Sequence, residues 1–175
     1  IKKAPEEMIK DFIPSSEYDG KAVFSILLNK VNHFSDSELK AIVSQIMLDN
    51  REALEVYPAA YRLHHAIVGG LMLHTASIVE MAEKICTIYP NINRELLLSG
   101  AILHDVAKTF EMSTAKSGLC NGYTVGGELI GHLVKGAMYI DETAKKLGID
   151  SEKVILLEHM AVSYTHLTLP TNSRV

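Results

Sequence analysis

A helical repeat of apolar residues is the feature that most constrains the fold of this 175-residue chain. Val23, Leu27 and Val31 recur four positions apart, which is the spacing of one face of an α-helix. A second repeat follows Asp36 or Ser37, either of which can cap a helix. Alternating strand patterns are nearly absent, and the length suffices for one domain with a core. We therefore predict an all-α fold, a helical bundle in one domain.

The chain divides into helices at its proline, glycine and asparagine positions. Pro disfavours helix in the residue before it, so Tyr57-Pro58 ends one pattern and Pro90 ends the next. The sequence from Ser113 to Gly127 is rich in Gly, Ser and Asn and is predicted to be a loop. The predicted later helices run from about Ala66 to Tyr89, from Asn93 through Lys108, from about Glu128 to Leu147, and from Ser151 to Ala161.

Composition excludes several classes of protein. Hydrophobic residues make up 47% and charged residues 22% of the chain, which is ordinary for a globular domain. A net charge of −4 argues against a strongly basic nucleic-acid clamp. Two cysteines and no secretion signal favour a reducing, cytoplasmic setting. No uncharged apolar run approaches about 18 residues, so no membrane association is predicted.

Histidines interrupt two of the apolar stripes. His74 lies among Leu71, Ile78 and Met81, where an aliphatic residue is usual. In the next helix, His104 shares a face with apolar residues, and Asp105 is adjacent to it. With about 1.5 Å rise per residue, His74 lies about 24 Å before the turn at Pro90 and His104 about 20 Å after it. The two helices can therefore bring both imidazoles and the carboxylate to one level. A buried carboxylate beside a buried imidazole is costly unless it is paired or binds a cation. A single inward histidine is usually a core residue, but three such groups at one level favour a metal site, which we predict here.

Other candidate residues allow more than one interpretation. His132 and His159 are each a second-metal ligand, a substrate contact or a core residue. Lys108 follows His104 by one turn, and it either holds a phosphate as a point charge or is a solvated surface lysine.

A basic cluster precedes the long helix. His64, His65 and Arg62 can contact the substrate, and His65 can donate a proton to a leaving group. Alternatively, one of the histidines caps the helix.

These residues resemble the HD superfamily of metal-dependent phosphohydrolases. The resemblance extends over Tyr57-Pro58-Ala59-Ala60, His64-His65-Ala66, Gly69-Gly70-Leu71, Leu73-His74-Thr75, Leu103-His104-Asp105 and Gly131-His132. That series is similar to one branch, the YhaM-like 3'-5' exoribonucleases, over roughly residues 50 to 160. The resemblance implies that His74, His104 and Asp105 are metal ligands and that single-stranded RNA or oligonucleotides are the substrate. It also implies an N-terminal OB-fold domain in the parent protein.

The resemblance also suggests how the chain is divided. Residues 1–50 resemble an interdomain segment of a longer parent, residues 51–160 the HD domain, and residues 161–175 a non-native tail. The family carries a last Asp ligand and a His-His-Gly segment, which this sequence lacks. If the tail is non-native, the metal site is incomplete and this polypeptide is expected to be inactive.

The donor set narrows the cofactor and the chemistry. Two imidazoles and a carboxylate suit Mn, Fe, Zn or Co better than Ca, with one or two ions bound. A phosphodiesterase of the 3'-5' exoribonuclease type is the main hypothesis, with Asp105, Lys108 and His65 as catalytic residues and His64, Arg62 and Lys108 as substrate contacts. A nucleotide phosphohydrolase and a non-catalytic nucleotide-binding HD module are the alternatives. The absence of a long heptad seam leaves the oligomeric state open.

Overall fold

The computed structural model describes residues 19–57, 69–114 and 120–163 of the chain. The helices are α1 Gly20–Asn32, α2 Ser37–Asp49, α3 Arg51–Val56, α4 Gly70–Ile88, α5 Arg94–Leu103, α6 Lys108–Glu111, α7 Val125–Leu129, α8 Gly131–Lys146 and α9 Glu152–Ser163. The strands are β1 Met112–Thr114 and β2 Cys120–Tyr123. The predicted all-α class is confirmed, because these strands make only one short hairpin beside the helices.

The central helix of the described bundle is α5, which contacts α2, α4 and α9. Its residues Leu98 to Leu103 are all buried. Asn93 begins this helix as predicted, since its side chain accepts a hydrogen bond from the backbone N–H of Leu96 at 3.1 Å. The short connection from Tyr89 to Asn93 brings α5 back against α4, so the end of α5 lies inside the bundle.

The faces predicted for the first two helices are confirmed. Val23, Leu27 and Val31 of α1 are buried, as are the apolar residues of α2. Asp36 caps α2 by accepting hydrogen bonds from the backbone N–H groups of Glu38 and Leu39, both at 3.1 Å.

The buried face of α4 differs from the predicted stripe. The residues enclosed in the core are Leu71, Met72, Thr75, Val79 and Ala82, whereas Met81 is 57% exposed. Apolar residues occur on much of the helix circumference, so periodicity alone did not separate the enclosed face from its neighbour. The neighbouring apolar residues line a groove shared with α5 and α9.

Two predicted helices have a wrong boundary. The helix expected to continue through Lys108 ends at Leu103, and residues 104–107 form a turn before α6. In that turn, the N–H of Val106 donates to the carbonyl of Leu103 and the N–H of Lys108 to that of Asp105, three residues back. The predicted helix Glu128–Leu147 is broken before α8, where Gly131 has a φ of +73°.

The segment predicted as a loop from Ser113 to Gly127 contains ordered structure. β1 pairs antiparallel with β2, placing Met112 opposite Tyr123 and Ser113 opposite Gly122. Strands of three and four residues are too short to show an alternating pattern, which explains why they were not predicted.

At the other end, α9 extends two residues beyond the predicted end, to Ser163, with Ala161 buried. Within the described part of the chain, no helix combines the length and apolar character needed to cross a membrane.

Candidate metal centre

The end of α5 positions the candidate ligands. His104 is the C-cap of this buried helix, and Asp105 follows in the tight turn. His104 is 3% exposed and Asp105 6% exposed, so neither side chain can reorient freely into water. The core around α5 therefore fixes the direction in which both groups point.

The predicted meeting of the two helices occurs at the level of His74. Its Nε2 lies 3.2 Å from Nε2 of His104 and 3.4 Å from Oδ2 of Asp105, and the His104 Nε2 to Asp105 Oδ2 distance is 3.2 Å. Neighbouring ligand atoms bound to a divalent ion at about 2.0–2.2 Å are about 2.8–3.6 Å apart in octahedral or tetrahedral geometry. The three atoms therefore already have the spacing that one ion requires, and they form a group able to hold a metal.

The second ring nitrogen of His104 fixes its tautomer. Nδ1 lies 2.8 Å from the carbonyl oxygen of Ala101, and a nitrogen at that position must donate its hydrogen. Nε2 is therefore the atom that His104 would offer to a metal ion, and it faces His74 and Asp105. Orientation of a ligating imidazole by a backbone carbonyl is a common feature of metal sites.

Asp105 is a buried carboxylate held in its ionised form. Burial raises the pKa of this carboxyl, but the hydrogen bond and charge of His104 and the ammonium of Lys108 outweigh burial and hold the pKa well below its usual range. Nζ of Lys108 lies 2.7 Å from Oδ2. Lys108 thus contacts the candidate ligand itself, which sequence spacing did not predict.

His132 lies on the opposite side of the same carboxylate. Its Nε2 is 3.5 Å from Oδ1 of Asp105, whereas His74 and His104 face Oδ2. Its buried Nδ1 lies 3.0 Å from Oε2 of Glu111 without the geometry of a hydrogen bond. Asp105 thus presents Oδ2 to the pair of His74 and His104, and Oδ1 to His132.

Glu111 is a site residue that the sequence analysis missed. A helix continuing straight through Lys108 would not indicate that a glutamate six positions after Asp105 reaches His132. The turn at residues 104–107 redirects the chain, and α6 brings Glu111 to the site. The signal available in the sequence was the presence of a carboxylate, Glu111, only six positions after the His104-Asp105 pair.

The remaining predicted site residues do not join this group or lie outside the described residues. His159 is exposed, and its ring nitrogens lie 3.1 and 3.3 Å from Oγ of Ser163. Arg62, His64 and His65 fall between residues 57 and 69, outside the described ranges.

Comparison with known proteins agrees with the helical fold. The HD domain family matches residues 71–166, more than half of the chain. The chain therefore belongs to the HD domain family, which confirms the resemblance inferred from its motifs.

Similar curated relatives carry the name 3'-5' exoribonuclease YhaM. The protein of Bacillus pumilus (strain SAFR-032) is 32% identical over 156 residues, covering 89% of this chain and 49% of the relative. That of Bacillus subtilis (strain 168) is 31% identical with the same coverage. That of Listeria innocua is 36% identical over 129 residues, covering 74% of this chain and 40% of the relative. The chain spans about half the length of the curated relatives it matches, and no solved structure matches it.

Proposed function

We propose that this chain is the catalytic HD domain of a metal-dependent phosphodiesterase of the 3'-5' exoribonuclease type, acting on single-stranded RNA or oligonucleotides in the cytoplasm. The convergence of His74, His104 and Asp105 carries the proposal, because their ligand atoms are spaced for one divalent ion. The similarity to proteins named 3'-5' exoribonuclease YhaM supports the reaction type.

The proposed site takes Mn, Fe, Zn or Co, since its donors are two imidazoles and one carboxylate. When bound, such an ion polarises a phosphoryl oxygen and lowers the pKa of water toward about 7. Three protein ligands leave coordination positions open for water and phosphate. Asp105 supplies a ligand whose lowered pKa favours the ionised form, while the Ala101 carbonyl keeps the donor nitrogen of His104 directed inward.

The two oxygens of Asp105 are the basis for proposing a second ion. Oδ2 faces His74 and His104, and Oδ1 faces His132, so each oxygen of Asp105 would serve as a ligand to a different ion. His159 is the weaker candidate for this second site, because its ring contacts Ser163 on the exposed side of α9.

Lys108 and the basic cluster are assigned to the substrate. The ammonium of Lys108 contacts Asp105 at 2.7 Å, and we propose that it shares this contact with a phosphate oxygen when substrate binds. Arg62 and His64 keep their proposed role as substrate contacts, and His65 that of proton donor to the leaving group.

The test is shortening of a 5'-labelled single-stranded RNA with Mn by the purified parent protein, which would supply the OB-fold and the last Asp ligand that the resemblance implies. We expect nucleotides to be removed one at a time from the 3' end. His104→Ala should lower this rate more than about 100-fold, because it removes a ligand whose supporting contacts alone are worth about 10–100-fold in such sites. His33→Ala is the matched control, since His33 is exposed directly after α1 and its Nδ1 lies 2.7 Å from the carbonyl oxygen of Asn29.

Three other results would contradict the proposal. Equal RNA cleavage by His104→Ala would exclude this site as the origin of the activity. Hydrolysis of mononucleotides without RNA shortening would favour a nucleotide phosphohydrolase. Nucleotide binding without turnover under any of the four metals would favour a non-catalytic binding module.

A further inference from the structure

A small cavity lies against the candidate metal centre on the side of His132. Its volume is about 160 Å³, and its walls come from α6, α7 and the start of α8. His132 belongs to both places, because it lines the cavity and its Nε2 is 3.5 Å from Asp105. Any group in the cavity would therefore adjoin a phosphate held at the metal centre.

The cavity has two chemically different sides. Phe110 and Ile130 form apolar wall and are 41% and 48% exposed, so their side chains have surface available to a ligand. Glu111, His132 and Lys135 form the polar side. A planar ring with attached hydroxyl and phosphate groups matches this division.

Lys135 supplies a cation for an anionic ligand. It follows His132 by three residues on α8, so both side chains share one face of the helix. Within the described ranges, no carboxylate lies within ion-pair distance of its ammonium, in contrast to Lys108 and Lys145. Lys135 is thus the residue of this cavity that is suited to a phosphate.

The size of the cavity limits what it can hold. Pockets that enclose drug-sized ligands measure about 300–1,000 Å³, so a cavity about half of the lower limit accommodates one ring system. Aromatic side chains commonly stack on the bases of single-stranded nucleic acids. Phe110 is the aromatic residue in this wall, and its ring is held edge-on to Tyr139 at 5.5 Å.

We propose that this cavity is a subsite for one nucleoside monophosphate unit of the substrate, with the base against Phe110 and the phosphate toward Lys135. The inference rests on the proposed function, since it names the part of the substrate next to the phosphate that is cut. Glu111, on the polar side, is placed to accept a hydrogen bond from a ribose hydroxyl.

The experiment measures equilibrium binding of adenosine 5'-monophosphate and of ribose 5-phosphate to the full chain in chelator. The two probes differ only in the base. We expect the wild-type protein to bind the nucleotide about 5- to 150-fold more tightly, the range of a base stacked on an aromatic side chain. Phe110→Ala and Phe110→Leu should remove this difference, and the leucine variant keeps apolar bulk against Tyr139.

Lys135→Ala tests the phosphate end. It should weaken both probes equally, by about 5-fold, because both carry the same phosphate. Tyr89→Ala and Lys145→Ala are the matched controls, because Tyr89 is an exposed aromatic residue directly after α4 and Lys145 an exposed lysine on the same helix as Lys135. Both controls should bind the probes as the wild type does.

Equal binding of the two probes by the wild type would overturn the subsite, as would a base preference that survives Phe110→Ala. An unchanged affinity in Lys135→Ala would also overturn it. The outcome is separable from that of the proposed function: RNA cleavage without a base preference refutes the subsite alone, and a base preference without RNA cleavage refutes the exoribonuclease alone.

Discussion

At the scale of single residues, the site depends on one carboxylate. Asp105 is 6% exposed and contacts both candidate imidazole ligands through Oδ2, while Oδ1 faces His132. A buried charge of this kind is tolerated because Lys108 and the imidazoles surround it. The arrangement therefore keeps a negatively charged candidate ligand inside an otherwise apolar bundle.

Replacing Asp105 with the isosteric Asn should remove most of the affinity for a divalent ion. The amide keeps the shape of the side chain but supplies no negative charge. Mn at 100 times its Kd should stabilise the wild-type protein by about 2.7 kcal/mol, which appears as a rise in Tm. We expect Asp105→Asn to show almost no rise at that concentration.

Asp141→Asn is the control for this experiment, because Asp141 is a surface carboxylate paired with Lys145 on α8. It should respond to Mn as the wild type does. A full rise in Tm in Asp105→Asn would show that Mn binds elsewhere and would contradict the proposed metal centre.

At the scale of the elements, α7 is attached to the backbone of the residue that faces His132. The N–H of Thr124 donates to the carbonyl oxygen of Glu111 at 2.8 Å, and the hydroxyl of Thr124 accepts from the N–H of Gly127 at 2.9 Å. Gly127 packs directly on Glu111, so that a Cβ at this position would collide with its backbone. Glycine here sets the distance between α6 and α7.

Gly127→Ala should therefore destabilise the chain, by about 1–3 kcal/mol as in other overpacked sites. Gly126→Ala is the matched control in the same helix, where a Cβ would meet only Oγ1 of Thr124 at 4.0 Å. Alanine there should be neutral or stabilise by up to about 1 kcal/mol through helix propensity. Urea unfolding of both variants measures the difference, and equal stabilities would refute the proposed close packing.

The sequence predicted elements best where several signals agreed. Asn93 was predicted as a cap, and Asp36 as one of two candidates with Ser37, because a capping residue preceded a clear apolar repeat. Both Asp36 and Asn93 accept the expected hydrogen bonds. The turn after Leu103 was missed because its local hydrogen bonds leave no compositional mark. His74 and His104 were predicted to meet, since helix length and the position of Pro90 fix that distance, whereas Glu111 depends on the missed turn.

At the scale of the whole molecule, ion pairs join the start of α2 to α9, the last helix of the described chain. Lys153 of α9 lies 2.7 Å from Oδ2 of Asp36 and 2.8 Å from Oε2 of Glu38, both at the start of α2. Because α9 also packs on α5 and α8, this contact closes the bundle around the helix that carries His104. The stability of the whole domain should therefore respond to the ionisation of Asp36.

The final prediction concerns the pH dependence of that contact. Burial raises the pKa of Asp36, but hydrogen bonds from Lys153 and from the N–H groups of Leu39 and Glu38 outweigh it, so the folded-state pKa lies below the usual value of 3.8. A carboxyl whose pKa is lowered on folding stabilises the folded state fully above the unfolded pKa, and this contribution is lost as pH falls through the folded pKa.

Asp36→Asn keeps a capping oxygen but loses the charge, and Asp36→Ala loses the cap as well, at a cost of about 0.5–2 kcal/mol. Urea unfolding should find Asp36→Asn less stable than the wild type at pH 7 and pH 5, with the difference shrinking below about pH 4. Glu142→Gln, an exposed carboxylate on α8, is the control. A difference between Asp36→Asn and the wild type that stays the same at pH 3 and pH 7 would show that the charge of Asp36 does not hold α2 to α9.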